Sequence, residues 1–143
     1  MGCMPIACKN LRRDTGAMPA LLAPAKVFLA EDSLEIRQRI AQLLTDRAMT
    51  VVGEAATPQG AIDGILASHP DVVVLDVQLE GGPGLAVLRA VRKAAPGIAF
   101  VVLSNHAGEA YRRLYLSEGA AHFLDKSSEF DQLAQWVAQQ AVH

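Results

Sequence analysis

Charged and hydroxyl side chains follow four of the five short apolar runs in this chain of 143 residues. They stand at the carboxyl ends of those runs: Glu31 and Asp32, Asp76, Ser104, and Asp125 with Lys126. Ligands of open α/β sheets bind beyond the carboxyl ends of the strands, so we expect these side chains to meet in one crevice. Clustered carboxylates repel one another, which predicts a compensating cation in the same place.

The residue types in this crevice favour phosphoryl transfer. The oxygen-only donors Glu31, Asp32 and Asp76 suit Mg²⁺ or Mn²⁺, with waters completing the coordination shell. Asp76 is the best candidate nucleophile because it ends the central strand. The metal and Lys126 would neutralise the phosphoryl oxygens, and Ser104 would donate a hydrogen bond. Taken singly, each residue also has an ordinary explanation as a helix cap, a turn residue or a surface charge.

The elements that must position these residues alternate along the chain. Five apolar runs predict strands: Lys26–Ala30, Thr50–Glu54, Asp71–Asp76, Ile98–Leu103 and Ala121–Leu124. A segment with helical spacing of apolar residues follows each run, over about 33–47, 58–69, 84–94, 108–118 and from 128 onward. Because βα units connect with right-handed crossovers, the alternation predicts an α/β fold of the (βα)₅ type, with a parallel five-stranded sheet covered by helices on both faces.

The composition narrows the range of functions. The formal net charge of −2 argues against a nucleic-acid partner held by bulk charge. The apolar runs are far too short for membrane insertion. Cys3 and Cys8 form no disulfide framework, so a reducing, cytoplasmic location is expected. Pro and Gly within residues 1–24 predict a flexible N-terminal leader, and residues 25–143 are expected to form a single domain.

From about residue 25 onward the chain resembles the receiver domain of a two-component response regulator, of the stand-alone, chemotaxis-regulator-like type. The resemblance rests on four motifs in order: Glu31-Asp32-Ser33, Asp76 within Leu75-Asp-Val-Gln-Leu-Glu-Gly-Gly-Pro-Gly-Leu85, Ser104 within Val101-Val-Leu-Ser104, and Lys126 within Gly119-Ala-Ala-His-Phe-Leu-Asp-Lys126. No single motif is specific, but the ordered set is. It implies a flavodoxin-like three-layer sandwich with the strand order 2-1-3-4-5.

The resemblance also implies a role for the acidic residues. Asp76 would be the phosphoacceptor, and Asp32 would be a direct metal ligand. Glu31 would bind the metal directly or through water, and the main-chain carbonyl of Gln78 would be a third protein ligand. Such a domain is a signalling domain rather than an enzyme, and at most catalyses its own phosphorylation and dephosphorylation.

Further residues are implied to sense the phosphoryl group. Lys126 would contact it, and Ser104 would move toward it after transfer. Phe123 stands at the family's aromatic switch position and lacks a tyrosine hydroxyl, so its inward and outward states would differ by packing alone. Asn105 is bulkier than the usual Ala or Gly and would narrow access, while His106 could approach the phosphoryl site, so both are candidate modulators.

The implied partners are proteins. The phosphoryl donor would be a sensor histidine kinase or a histidine phosphotransfer protein, and homodimerisation stays open. The signal would leave through the helix at 108–118, which carries Tyr111 and Tyr115 beside Arg112 and Arg113. Exposed Tyr and Arg are enriched at protein contacts. The alternative for these tyrosines is a packing role in the core.

Other functions stay open at this level. The main alternative is a receiver-shaped module that binds proteins without phosphorylation; loss of an acidic residue or of the lysine would favour it, and none is missing. A flavodoxin-like FMN protein would need a Ser/Thr/Gly-rich phosphate cradle where Glu31 and Asp32 stand, and these would repel phosphate. A haloacid-dehalogenase-like phosphatase would need a second acid at the position of Gln78.

Overall fold

The computed structural model describes residues 24–105 and 108–141. Its strands and helices are β1 Lys26–Ala30, α1 Leu34–Thr45, β2 Thr50–Ala55, α2 Pro58–Ser68, β3 Val72–Asp76, β4 Gln78–Leu79, β5 Gly82–Pro83, α3 Leu85–Ala94, β6 Ala99–Ser104, α4 Glu109–Ser117, β7 His122–Asp125 and α5 Leu133–Ala141. The predictions for residues 1–23 and for His106 lie outside the described residues.

The five longer strands form one parallel sheet in the order β2-β1-β3-β6-β7. This is the predicted order 2-1-3-4-5, because the strands β4 and β5 are two-residue segments of a separate antiparallel hairpin that directly follows β3. The (βα)₅ prediction is therefore confirmed. The hairpin was not predicted, and it forms the loop between the central strand and α3.

The core lies on both faces of the sheet because successive strand residues point in opposite directions. In β1, Val27 and Leu29 pack with α1 and α5, whereas Phe28 and Ala30 pack with α2, α3 and α4. All five residues of β3 are buried. The central strand is thus covered on both sides, as its continuous β-branched run predicts.

Two helices begin at side-chain caps. Ser33 Oγ accepts a hydrogen bond from the backbone N–H of Ile36 at 3.3 Å, and Thr57 Oγ1 accepts one from Gly60 at 3.1 Å. Each cap satisfies a backbone donor in the first helical turn. These caps place the N-termini of α1 and α2 directly after the carboxyl ends of β1 and β2.

The last helix begins later than the predicted start at residue 128. A single 3₁₀ turn, Phe130–Gln132, comes first, and α5 follows at Leu133. Asp125 causes this delay, because its carboxylate accepts hydrogen bonds from both the backbone N–H and the hydroxyl of Ser127. Those bonds hold the segment after β7 in a turn rather than a helix.

The ring of Phe28 fills a slot made by two glycines. A Cβ atom on Gly53 or on Gly64 would lie 2.7 Å from the ring, which is closer than two carbon atoms pack. The absence of side chains at these two positions therefore lets α2 approach β1 and β2.

In the part of the chain that the structure describes, no helix is long and apolar enough to cross a membrane.

Candidate functional site

The strand ends bring the predicted acidic residues together. Glu31 and Asp32 directly follow β1, and Asp76 ends the neighbouring strand β3. One carboxylate oxygen from each of the three residues lies within 4.8 Å of the others. They line a crevice of about 490 Å³ at the carboxyl edge of the sheet, where open α/β sheets bind ligands.

Lys126 pairs with two members of the acidic cluster, Glu31 and Asp76. Its Nζ lies 2.7 Å from Glu31 Oε1 and 3.1 Å from Asp76 Oδ2, and all three side chains are at least nine-tenths buried. Burial by itself would lower the pKa of Lys126. The close ion pair with Glu31 and the charge of Asp76 outweigh that effect and raise the pKa of Lys126 above its usual value. The lysine is therefore held as a cation between two carboxylates.

One lysine does not balance the three acids. Burial raises the pKa of Glu31 from 4.5 to about 7, although Lys126 and the backbone N–H of Ser33 act in the opposite direction, and the charge of Asp76 adds to the rise. Glu31 Oε1 is buried and receives no well-directed hydrogen bond despite its short ion-pair distance to the ammonium. An all-oxygen donor set with an excess of negative charge fits a hard divalent cation.

Both oxygens of Asp76 are engaged. Oδ2 accepts from Lys126 Nζ at 3.1 Å, and Oδ1 accepts a longer hydrogen bond from the backbone N–H of Gln78 at 3.3 Å. These bonds fix the carboxylate at the wall of the crevice. Gln78 also lines the crevice, and its service as a metal ligand through the main-chain carbonyl stays a prediction.

Ser104 lies at the end of β6 and is fully buried, while its neighbour Asn105 is exposed at the crevice. The backbone carbonyl of Ser104 accepts the N–H of Lys126 at 2.9 Å, so these two predicted phosphoryl contacts are joined through the main chain. Ser104 thus lies within the crevice wall, as expected. The roles of Ser104 and Asn105 toward a phosphoryl group stay predictions.

The two tyrosines of α4 point in different directions, so the predicted exposure holds for Tyr111 and the alternative packing role holds for Tyr115. Tyr111 is 45% exposed, whereas Tyr115 is 1% exposed. The ring of Tyr115 lies 5.9 Å from that of Phe123, which is also buried. Tyr115 is buried because it projects from the side of α4 that faces the sheet, where Phe123 of β7 lies. The surface of α4 therefore presents Tyr111 and not Tyr115.

Two arginines of α1 were not singled out from the sequence. Arg37 donates to the backbone carbonyl of Glu31 at 2.7 Å and pairs with Glu54 at 3.1 Å, which ties the end of β1 to β2. Arg39 lines the crevice, with its guanidinium 4.5 Å from the ring centre of Phe130. The helical pattern places both arginines only on the polar side of α1, so it gives no sign that they reach the site.

An acidic crevice closed by a buried lysine at the carboxyl edge of a 2-1-3-4-5 sheet is the arrangement of a receiver domain. The sequence model of the response regulator receiver domain family matches residues 27–138, and the chain belongs to that family. This membership confirms the resemblance seen in the four motifs.

Similar proteins are longer than the segment that they share with this chain. The chain is 31% identical over 113 residues to the DNA-binding transcriptional activator DevR/DosR of Mycobacterium tuberculosis, covering 78% of this chain and 52% of that protein. It is 33% identical over 107 residues to a protein-glutamate methylesterase/protein-glutamine glutaminase of Pseudoalteromonas atlantica, covering 73% of this chain and 28% of that enzyme. The chain thus spans about half the length of such curated relatives, or less.

Solved structures agree with this assignment. A LuxR-family two-component response regulator from Aurantimonas sp. SI85-9A1 superposes with a TM-score of 0.77 at 27% identity, covering 82% of this chain and 84% of that one. The BeF₃-activated N-terminal receiver domain of Klebsiella pneumoniae RstA gives 0.75 at 26% identity, covering 82% and 99%. Family membership makes the chain a phosphorelay signalling domain of the aspartate-accepting kind, and it does not favour the phosphorylation-independent alternative.

Proposed function

We propose that Asp76 is the residue that accepts the phosphoryl group. The observation that supports this most directly is its geometry. The carboxylate lies at the wall of the crevice, next to two further acids, and Lys126 and the N–H of Gln78 hold its two oxygens. The other carboxylates of the cluster, Glu31 and Asp32, lie on the neighbouring strand end and serve the metal in this proposal.

The residues of the crevice fit Mg²⁺, or Mn²⁺ in its place. Asp32, Asp76 and the main-chain carbonyl of Gln78 would hold the ion directly, and Glu31 directly or through water. The fit rests on the three clustered carboxylates and on the buried Glu31 Oε1, which lacks a well-directed donor. When bound, the ion would supply positive charge next to the oxygens of an incoming phosphoryl group.

The transfer uses Lys126, which already touches Asp76, together with Ser104 and Phe123. One carboxylate oxygen of Asp76 forms a bond to phosphorus while the phosphorus–nitrogen bond of a phosphohistidine breaks, and the electron pair stays on the imidazole nitrogen. Lys126 stands 3.1 Å from Oδ2 and would turn part of its pairing from the carboxylates to the phosphoryl oxygens. The Ser104 hydroxyl would donate a hydrogen bond to the phosphoryl group, and Phe123 would repack in response.

The donor in this proposal is a sensor histidine kinase or a histidine phosphotransfer protein, in the cytoplasm. The output is a protein contact through α4, whose exposed apolar residues are Tyr111, Leu114 and Leu116, with exposed fractions of 45%, 37% and 36%. Large exposed apolar side chains on one short helix favour a protein partner. A second copy of the chain is the alternative occupant of this surface.

Labelling with acetyl phosphate tests the proposal. In the presence of Mg²⁺, the intact mass should rise by one phosphoryl group, and the label should be removed by base or hydroxylamine. Asp76→Asn should abolish labelling. Asp71→Asn is the matched control, because Asp71 lies at the opposite end of β3, where its carboxylate accepts the backbone N–H of Lys26. Equal labelling of the Asp76→Asn protein would refute the assignment.

A further inference from the structure

The hydroxyl of Tyr115 reaches the segment that follows the phosphoacceptor. It donates to the backbone carbonyl of Val77 at 3.4 Å, a long hydrogen bond in a fully buried position. Val77 is the residue directly after Asp76. Burial raises the pKa of Tyr115 to about 12, while the backbone of Leu85 at the start of α3 acts against the rise. The hydroxyl therefore keeps its proton and acts as a donor at ordinary pH.

The carbonyl of Val77 is the base of the loop between β3 and α3. It also accepts the N–H of Gly84 at 2.7 Å, which closes the loop that contains the β4–β5 hairpin. A Cβ atom on Gly84 would collide with the backbone carbonyl of Asp76, so the base of the loop leaves no room for a side chain. Because Val77 lies between Asp76 and Gln78 in the chain, we expect a displacement of either neighbour to move the Val77 carbonyl as well.

The same tyrosine is anchored in α4 and packs against the switch aromatic. Its ring lies 5.9 Å from that of Phe123, at an angle of 52°. The Arg112 guanidinium, also from α4, donates to the Phe123 carbonyl at 2.9 Å. Tyr115 thus touches the phosphoacceptor loop with its hydroxyl and the β7 aromatic with its ring.

We infer that Tyr115 is a positioning residue that couples the phosphoacceptor loop to α4 through its hydroxyl on the Val77 carbonyl. The inference rests on the proposed role of Asp76. An unsatisfied buried hydroxyl is costly, so the Tyr115 side chain must follow the carbonyl when the loop moves or find another acceptor. Either response changes how α4 packs on the sheet. The packing free energy of α4 therefore differs between the two states of the loop.

The test compares Tyr115→Phe with wild type by NMR, with and without Mg²⁺ and beryllofluoride. Ser117→Ala is the matched control, because it removes an exposed hydroxyl of the same helix that donates only to the Leu114 carbonyl within that helix. In wild type and in the control, amide shifts should occur both around Asp76 and across Glu109–Ser117. In Tyr115→Phe, the shifts around Asp76 should persist, while those in the helix should fall to about half or less.

The possible results separate the two levels of the proposal. Helix shifts of wild-type size in Tyr115→Phe would overturn the role of Tyr115, whereas absent shifts around Asp76 in wild type would overturn the proposed function instead. A measurement on wild type needs no variant. In a mixture of H₂O and D₂O, a Tyr115 hydroxyl bonded to Val77 exchanges slowly and splits the ring Cζ signal, and a single averaged signal would contradict the bond.

Discussion

Glu31 offers a direct test of the electrostatics of the crevice, because Glu31→Gln removes its charge with little change in shape. The pKa of Glu31 rises from 4.5 to about 7, mainly through burial. One pKa unit corresponds to about 1.4 kcal/mol, so the ionised form costs about 3 kcal/mol in the folded protein. The open crevice admits water, and we therefore expect an effect of about 2–3 kcal/mol.

The sign follows from the direction of the shift. Because the folded pKa is raised above the unfolded value, the protonated acid stabilises the fold below pH 4.5, and that contribution is lost as the pH rises through 7. Relative to Glu31→Gln, the wild type should therefore lose about 2–3 kcal/mol of unfolding free energy between pH 4.5 and pH 8. Below pH 4.5 both side chains are neutral, so the two proteins should differ least in stability there.

The assay is urea unfolding in the presence of a chelator, so that no divalent ion compensates the carboxylates. Glu35→Gln is the control, because Glu35 is exposed in the first turn of α1 and its loss removes one negative charge outside the crevice. Parallel pH profiles for wild type and Glu31→Gln would refute the reasoning. They would mean that Lys126 alone compensates the cluster, and the argument for a divalent ion would lose its electrostatic basis.

Two further predictions concern the metal and the core. Mg²⁺ should raise the melting temperature of wild type by mass action, and Asp32→Asn should largely remove this response; an unchanged response would place the ion elsewhere. Gly64→Ala should lower the free energy of unfolding by about 1–3 kcal/mol in urea, because its Cβ meets the Phe28 ring at 2.7 Å. In a protein that already carries Phe28→Leu, Gly64→Ala should cost much less, because the ring that the new Cβ meets is gone. Gly97→Ala, whose Cβ meets no atom within 4 Å, should be near neutral.

The placement of the acidic residues was predictable because it follows from local pattern and one general rule. Continuous apolar runs identify buried parallel strands, and polar residues directly after them must lie at the carboxyl edge of the sheet. Glu31, Asp76 and Lys126 were assigned to one crevice on this basis, and the structure places them within ion-pair distance. No side-chain geometry was needed for that step.

The orientation of α4 was not predictable from its sequence. Tyr111, Leu114, Tyr115 and Leu116 distribute large apolar side chains around the helix, so periodicity does not show which of them faces the sheet. The structure buries Tyr115 and leaves the other three exposed. The choice depends on the space beside Phe123 and on the acceptor at Val77, and both belong to distant parts of the chain.

The sequence by itself determined the α/β class, the strand order through the resemblance, and the set of residues at the crevice, because these depend on local periodicity and on residue types. Tertiary structure decided the relations between those residues. Lys126 neutralises Asp76 across 50 positions of chain, and the Tyr115 hydroxyl meets Val77 across 38. Such contacts depend on how the five strands of the main sheet and the helices pack together. The same packing sets how far burial raises the pKa of Glu31. Local pattern carries no distance between separate strands, so these contacts follow only from the packed fold.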